Sequence, residues 1–172
     1  MRLVFARVAL AGVAAFVVAA TPAQGQGESG IKIGSAAPVV SVNDLDGKPV
    51  NLGQWIGKQP VMLEFWATWC ESCEALLPRV NAAKKAVGDR VHFLGVNVTV
   101  NQSPERVRRY LEEHEIPFQV LYDDKGTSTR AYEAPATSYI VIVDRTGKVV
   151  YTGVGADQPF EPALKRAAGV KE

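Results

Sequence analysis

This chain of 172 residues has two cysteines, and only Glu71 and Ser72 separate Cys70 from Cys73. The pair follows directly on the apolar run Val61-Met62-Leu63-Glu64-Phe65-Trp66, and in that setting it reads as a redox dithiol. Ala75, Leu76, Val80, Ala83 and Val87 then recur close to helical spacing, so the cysteines sit at a strand-to-helix junction. Cys70 occupies the helix start. Unpaired backbone N–H groups and the positive end of the helix dipole favour its thiolate there, the species that attacks a disulfide. The same position predicts that Cys70 is the exposed sulfur, with Cys73 one turn on to resolve the mixed disulfide.

Glu64 makes the second chemical claim, because a carboxylate in the middle of an apolar strand is costly if that strand is central and buried. The alternative is a Glu64 that pairs with a basic side chain or reaches water. His92 and His114 lie far from the cysteines in sequence, and a lone histidine on a strand or at a helix end is usually structural. No metal site is expected from them, and no cofactor. Met62 reads as a core residue.

The elements that must position these residues alternate between strand-like and helix-like stretches, with no internal repeat. Ala37 to Val42 and Pro49 to Leu52, on either side of Asp46-Gly47, predict a β-hairpin. Val61 to Phe65 is a buried strand, and the helix after the dithiol stops at Gly88. Val91 to Val98 is the next strand. Ser103-Pro104-Glu105 supplies an N-cap and a proline at the first helical position, for a helix to about His114 that Pro117 ends. Phe118 to Tyr122 is a short strand and Thr127 to Tyr132 a short helix. Tyr139 to Asp144 and Val149 to Gly153 form a second hairpin, and a last helix runs from about Phe160 to Ala168.

The segment Phe65-Trp66-Ala67-Thr68-Trp69-Cys70-Glu71-Ser72-Cys73, with Pro78 five residues after the second cysteine, resembles the active-site signature of the thioredoxin superfamily. It is most similar to the TlpA/ResA-like extracytoplasmic thiol-disulfide oxidoreductases, and the resemblance covers roughly residues 31 to 168. It implies a thioredoxin-like α/β fold: a central mixed β-sheet flanked by helices, with an N-terminal β-hairpin and a βα insert. Trp66 and Trp69 would flank the dithiol, one packing beneath it and one shielding its face. Glu64 matches the buried acid of thioredoxins, which relays a proton to or from the second cysteine, and burial would raise its pKa toward the working range. Thioredoxins pair this acid with a lysine on the next strand, yet Val91 to Val98 contains none.

Two further departures bear on the site. The family carries a cis-proline opposite the dithiol, about nine residues before the hairpin glycine; counting back from Gly147 lands on Ser138, with Pro135 three residues too early. Either Ser138 has replaced the proline or Pro135 serves it with a longer strand, and register favours the first. A non-proline cis bond is costly, so the Thr137–Ser138 bond should then be trans. On this reading Trp69, Thr137 and Ser138 bind substrate; on the other, Ala134 does. Leu76 stands where many TlpA/ResA-like proteins have a glutamate, which argues against a strict cytochrome c maturation role.

Residues 1–23 read as a secretory signal peptide. Arg2 and Arg7 precede 13 residues, Val8 to Ala20, without a polar side chain, and Thr21-Pro22-Ala23 offers small residues for cleavage. The apolar run falls short of the 18 or so expected of a spanning helix, although an uncleaved leader would anchor the domain. No cysteine lies near residue 23 to take a lipid. Residues 24–30 are a polar, Gly-rich tether and 31–172 the thioredoxin-like domain, a length suited to one core. Cleavage removes two of 19 basic side chains against 18 acidic ones. The net charge is then near −1, which gives no electrostatic case for nucleic acid or an anionic membrane as partner.

In an oxidising compartment a single cysteine pair is a staple or an active-site dithiol, and a loop this small stabilises little as a staple. The expected protein is therefore an exported, periplasmic or extracytoplasmic monomer that reduces disulfides in client proteins, Cys70 attacking and Cys73 resolving. Glu71 and Glu64 near the pair disfavour thiolate and make the disulfide less oxidising. The resemblance implies a membrane thiol donor of the CcdA/DsbD type. The alternatives are a dithiol oxidase of the same fold and a copper-binding or assembly module, which needs a nearby histidine or methionine such as Met62. A peroxiredoxin-type peroxidase carries Pro-x-x-x-Thr/Ser-x-x before its nucleophile, and Leu63 and Ala67 stand at those positions.

Overall fold

A computed structural model describes residues 30–170. The leader, residues 1–23, and residues 24–29 of the tether lie outside the described residues. The elements are β1 (Ser41–Asn43), β2 (Pro49–Asn51), β3 (Val61–Trp66), α1 (Glu71–Val87), β4 (His92–Asn97), α2 (Pro104–Glu113) and β5 (Gln119–Tyr122). They continue with α3 (Thr127–Ala131), β6 (Tyr139–Val143), β7 (Val149–Val154) and α4 (Glu161–Ala167).

All six residues of β3 are buried, as suits a strand with neighbours on both sides and cover on both faces. It pairs in parallel with β4 and antiparallel with β6, so that Glu64 lies between Gly95 and Ile140. The seven strands form one mixed sheet in the order β2-β1-β5-β4-β3-β6-β7. Alternation along β3 sends Val61, Leu63 and Phe65 to one face, where they pack with Tyr132 and Tyr139. Met62, Glu64 and Trp66 face the other way. Met62 meets Leu76 and Val80 of α1 and Leu164 of α4 there, while Trp66 meets Val107 of α2 and the two cysteines.

The first strand differs from the sequence expectation for an identifiable reason. Only Ser41–Asn43 of the first predicted strand pairs with β2, because the residues before it cross the other face of the sheet to the β6–β7 turn. There the Ala37 N–H donates to the Gly147 carbonyl at 2.8 Å, and the Val149 N–H donates to Ser35 at 3.0 Å. The second helix ends as expected, at Glu113 with His114 as its C-cap. His114 takes an extended backbone and stacks its ring on Tyr110 at 3.8 Å between centroids, which fastens the helix end without the proline. α1 ends as expected at Gly88, whose φ of +58° suits a residue without Cβ. No helix among the described residues is long and apolar enough to cross a membrane.

Candidate active site

The turn between β3 and α1 brings the cysteines together. The Cys70 N–H donates to the Ala67 carbonyl at 3.1 Å, Cys70 keeps an extended backbone, and α1 begins at the next residue. Cys70 and Cys73 are joined as a disulfide, with Cα atoms 5.2 Å apart. The Cys73 N–H donates to Cys70 Sγ at 3.1 Å, so the first sulfur acts as the helix N-cap and takes one of the orphan donors of the first turn. The two cysteines do not differ in exposure as expected: Cys70 is 7% and Cys73 8% exposed, both in one buried cluster with Trp66, Ala67 and Val107. What separates them in the oxidised form is the N–H on Cys70.

Trp66 lies beneath the pair and is buried, its ring 5.6 Å from Tyr110 and 5.9 Å from Phe118. Trp69 is 47% exposed, and its indole N–H donates to the Val100 carbonyl at 2.8 Å. One residue earlier, the Thr68 N–H donates to Gln102 Oε1 at 3.1 Å, and the same oxygen accepts from Asn97 Nδ2 at 3.2 Å. The loop after β4 therefore clasps the dithiol turn through Gln102 and Val100. Neither residue carries a sequence signal that points to this role.

Glu64 is 2% exposed, and burial pushes its carboxyl up to about 8, so it is protonated at neutral pH. The missing lysine has a structural reason. The residue paired with Glu64 on β4 is Gly95, and a Cβ built there would lie 2.1 Å from the Phe118 ring and 2.9 Å from Trp66 Nε1. Two aromatic rings fill the space a basic side chain would need. Tyr110 borders the same region: burial raises its hydroxyl pKa most, with Glu74 and Glu64 adding to the effect. Because Glu64 is neutral at pH 7, it adds no negative charge to the dithiol there. The acids left beside it are Glu71 and Glu74 in the first turn of α1.

Ser138 is fully buried and directly precedes β6. The β3–β6 ladder ends with Phe65 opposite Tyr139, so Ser138 lies at the end of the sheet where Trp66 leads into the dithiol turn. Its backbone is left-handed, with φ +60°, and its hydroxyl has no hydrogen-bond partner. No cis peptide bond occurs among the described residues, and Pro135 lies exposed three residues farther out. The other residues singled out in the sequence stand apart from the dithiol turn. Leu76 and Met62 are buried in the core under α1. His92 stacks on Trp55 at 4.2 Å, and His114 stacks on Tyr110.

Residues 32–168 match the profile of the Redoxin family. The chain is 32% identical over 140 residues to thioredoxin-like protein YneN of Bacillus subtilis (strain 168), covering 80% of this chain and 81% of that one. It is 30% identical over 144 residues to the thiol-disulfide oxidoreductase ResA of Bacillus thuringiensis subsp. konkukian (strain 97-27), covering 81% and 80%. The thioredoxin domain of a thiol-disulfide oxidoreductase from Bacteroides vulgatus superimposes with a TM-score of 0.67 at 25% identity, over 80% of this chain and 99% of that one.

Proposed function

This chain belongs to the Redoxin family as a thioredoxin-like thiol-disulfide oxidoreductase, and from that premise we propose that it reduces disulfides in client proteins. The observation that carries this reading is a sulfur at a helix N-cap, with a neutral buried carboxyl on the strand beneath. In the reduced protein the Cys70 thiolate attacks a client disulfide, forming a mixed disulfide and releasing one client thiolate. The Cys73 sulfur, deprotonated, then attacks Cys70 Sγ, releasing the second client thiolate and closing the Cys70–Cys73 disulfide. Two electrons pass from the dithiol to the client, and the two protons lost by the cysteines balance those the client thiolates take up. We infer that Glu64, its pKa near the working range, exchanges a proton with Cys73 during resolution, its ionised fraction taking up the thiol proton.

The acids beside the pair support the reducing direction. Glu71 and Glu74 oppose the thiolate that the helix N-terminus favours, which lowers the oxidising power of the disulfide. Equilibration of the purified domain against glutathione buffers tests this. A reductase lies near the potential of thioredoxin, about −270 mV, and a value near that of DsbA, about −120 mV, would make the protein an oxidase. The leader supports export to the periplasm or another extracytoplasmic space, and N-terminal sequencing of the exported protein should begin at Gln24. A reductase there needs electrons from across the membrane, for which a thiol donor of the CcdA/DsbD type is the natural source.

A further inference from the structure

Three non-glycine residues among those described have positive φ: Asn101, Glu133 and Ser138. The first two are exposed, and asparagine tolerates that region well. Ser138 is buried and has no local reason to adopt it, so its surroundings must hold it there. Its carbonyl accepts from Gln158 Nε2 at 2.8 Å and from the Gly155 N–H at 3.2 Å. The second proton of the same Gln158 amide goes to the Gly155 carbonyl at 2.8 Å, and Gln158 Oε1 accepts from the Tyr151 hydroxyl at 3.3 Å. Gln158 itself is buried, with every polar atom of its side chain engaged.

The loop that carries Gln158 is tied in turn to the dithiol's own helix. Arg79 of α1 donates to the Gln158 carbonyl at 2.8 Å and to the Ala156 carbonyl at 2.6 Å, and it binds both oxygens of Glu161. Helix, loop and Ser138 thus form one hydrogen-bonded chain. At its end stands Thr137, half-buried, whose backbone N–H and C=O bond to no group among the described residues. An unpaired N–H and C=O beside a sheet are the groups that an extended peptide pairs with.

We propose that Gln158 is a positioning residue for client recognition: it locks Ser138 in its left-handed conformation, and so holds the free backbone of Thr137 beside the dithiol to receive an extended client strand. This inference rests on the reading that the loop before β6 binds substrate. It makes client affinity depend on a side chain that contacts neither sulfur nor client.

Steady-state reduction of insulin by the full domain tests it, alongside the reaction of the reduced protein with a small aromatic disulfide that offers no peptide to bind. Gln158→Leu should raise KM for insulin about fivefold to tenfold, the worth of a lost hydrogen bond, with kcat, the small-disulfide rate and the reduction potential unchanged. Gln158→Glu sets a carboxylate against two carbonyls at neutral pH, so its KM should fall toward wild type as acid protonates it. Ser138→Gly, which adopts positive φ without strain, should recover part of the loss in the Gln158→Leu background. An insulin KM unchanged in both Gln158 variants would overturn the proposal, as would insulin and small-disulfide rates that fall together. Thr137→Pro removes the free N–H and separates the two readings. If it leaves KM unchanged, the loop does not bind client; if it raises KM while the Gln158 variants do not, only the positioning role fails.

Discussion

Cys70 and Cys73 are chemically alike and almost equally buried, so their roles turn on one backbone donor. The Cys73 N–H on Cys70 Sγ lowers the cost of a charge on the first sulfur and not on the second. Cys70→Ser should abolish insulin reduction, and Cys73→Ser should accumulate mixed disulfides with client proteins, seen as adducts on a non-reducing gel. Trapping by Cys70→Ser instead would reverse the roles. Glu64 carries the clearest pH signature. Folding raises its pKa from the ordinary 4.5 to about 8, so the folded state holds the proton more tightly. Below pH 4.5 both states are protonated and nothing is lost. As pH rises from 4.5 through about 8 the unfolded chain ionises first, and stability falls by a few kcal/mol in all. Glu64→Gln removes this dependence: urea titrations should find the variant more stable than wild type at pH 9 and closer to it at pH 5. Resolution of the mixed disulfide should slow at neutral pH, with the inflection near 8 lost. An unchanged pH–rate profile would leave Glu64 a structural residue.

Among the elements, β4 is shaped by what Trp66 of β3 and Phe118, in the loop before β5, press against it. Gly95 is the one β4 residue without a side chain, and the Phe118 ring and Trp66 indole lie over it. Gly95→Ala should therefore cost about 1–3 kcal/mol through overpacking, more than the same change gives at an open strand site. Phe118→Leu should relieve part of that loss in the double variant, and chemical denaturation of the four proteins measures the coupling. Additive losses would mean that the ring moves aside freely. Because Gly95 is the β4 partner of the buried Glu64, the Gly95→Ala variant should change the pH dependence of resolution as well.

For the molecule as a whole, the segment from Gly30 to Ala37 closes the face of the sheet opposite the helix that bears the dithiol. The Ile31 N–H donates to the Tyr139 hydroxyl at 3.0 Å and to the Tyr132 carbonyl at 3.2 Å, and Ile31 and Ala37 are buried. Gly30 lies so close that a Cβ would meet the Tyr139 hydroxyl at 2.1 Å. A chain that begins at Pro38 should lose roughly 3 kcal/mol or more against one that begins at Gly30, from the apolar area and hydrogen bonds removed. Urea denaturation compares the two. Equal midpoints would show that the crossing segment adds no stability.

Much of this architecture could be read along the chain, because periodicity and end signals are local. The run from Val61 to Trp66, the Ser103-Pro104 helix start and the Gly88 stop each act within a few residues, and so did the strand-to-helix junction that sets Cys70 at an N-cap. The position of Glu64 inside an apolar strand likewise announced a costly carboxyl. Other features depend on residues far apart in sequence and leave no local trace. Gly95 takes the place of a lysine because the Phe118 ring lies over it. Cys70 is as buried as Cys73 because both join a cluster that includes Val107 of another helix. Gln158, 20 residues after Ser138, reads as an ordinary loop glutamine until the β6–β7 hairpin folds back and sets its amide on the Ser138 carbonyl. Burial, register and the partner of a polar group are properties of the packed molecule, and only its tertiary structure decided them.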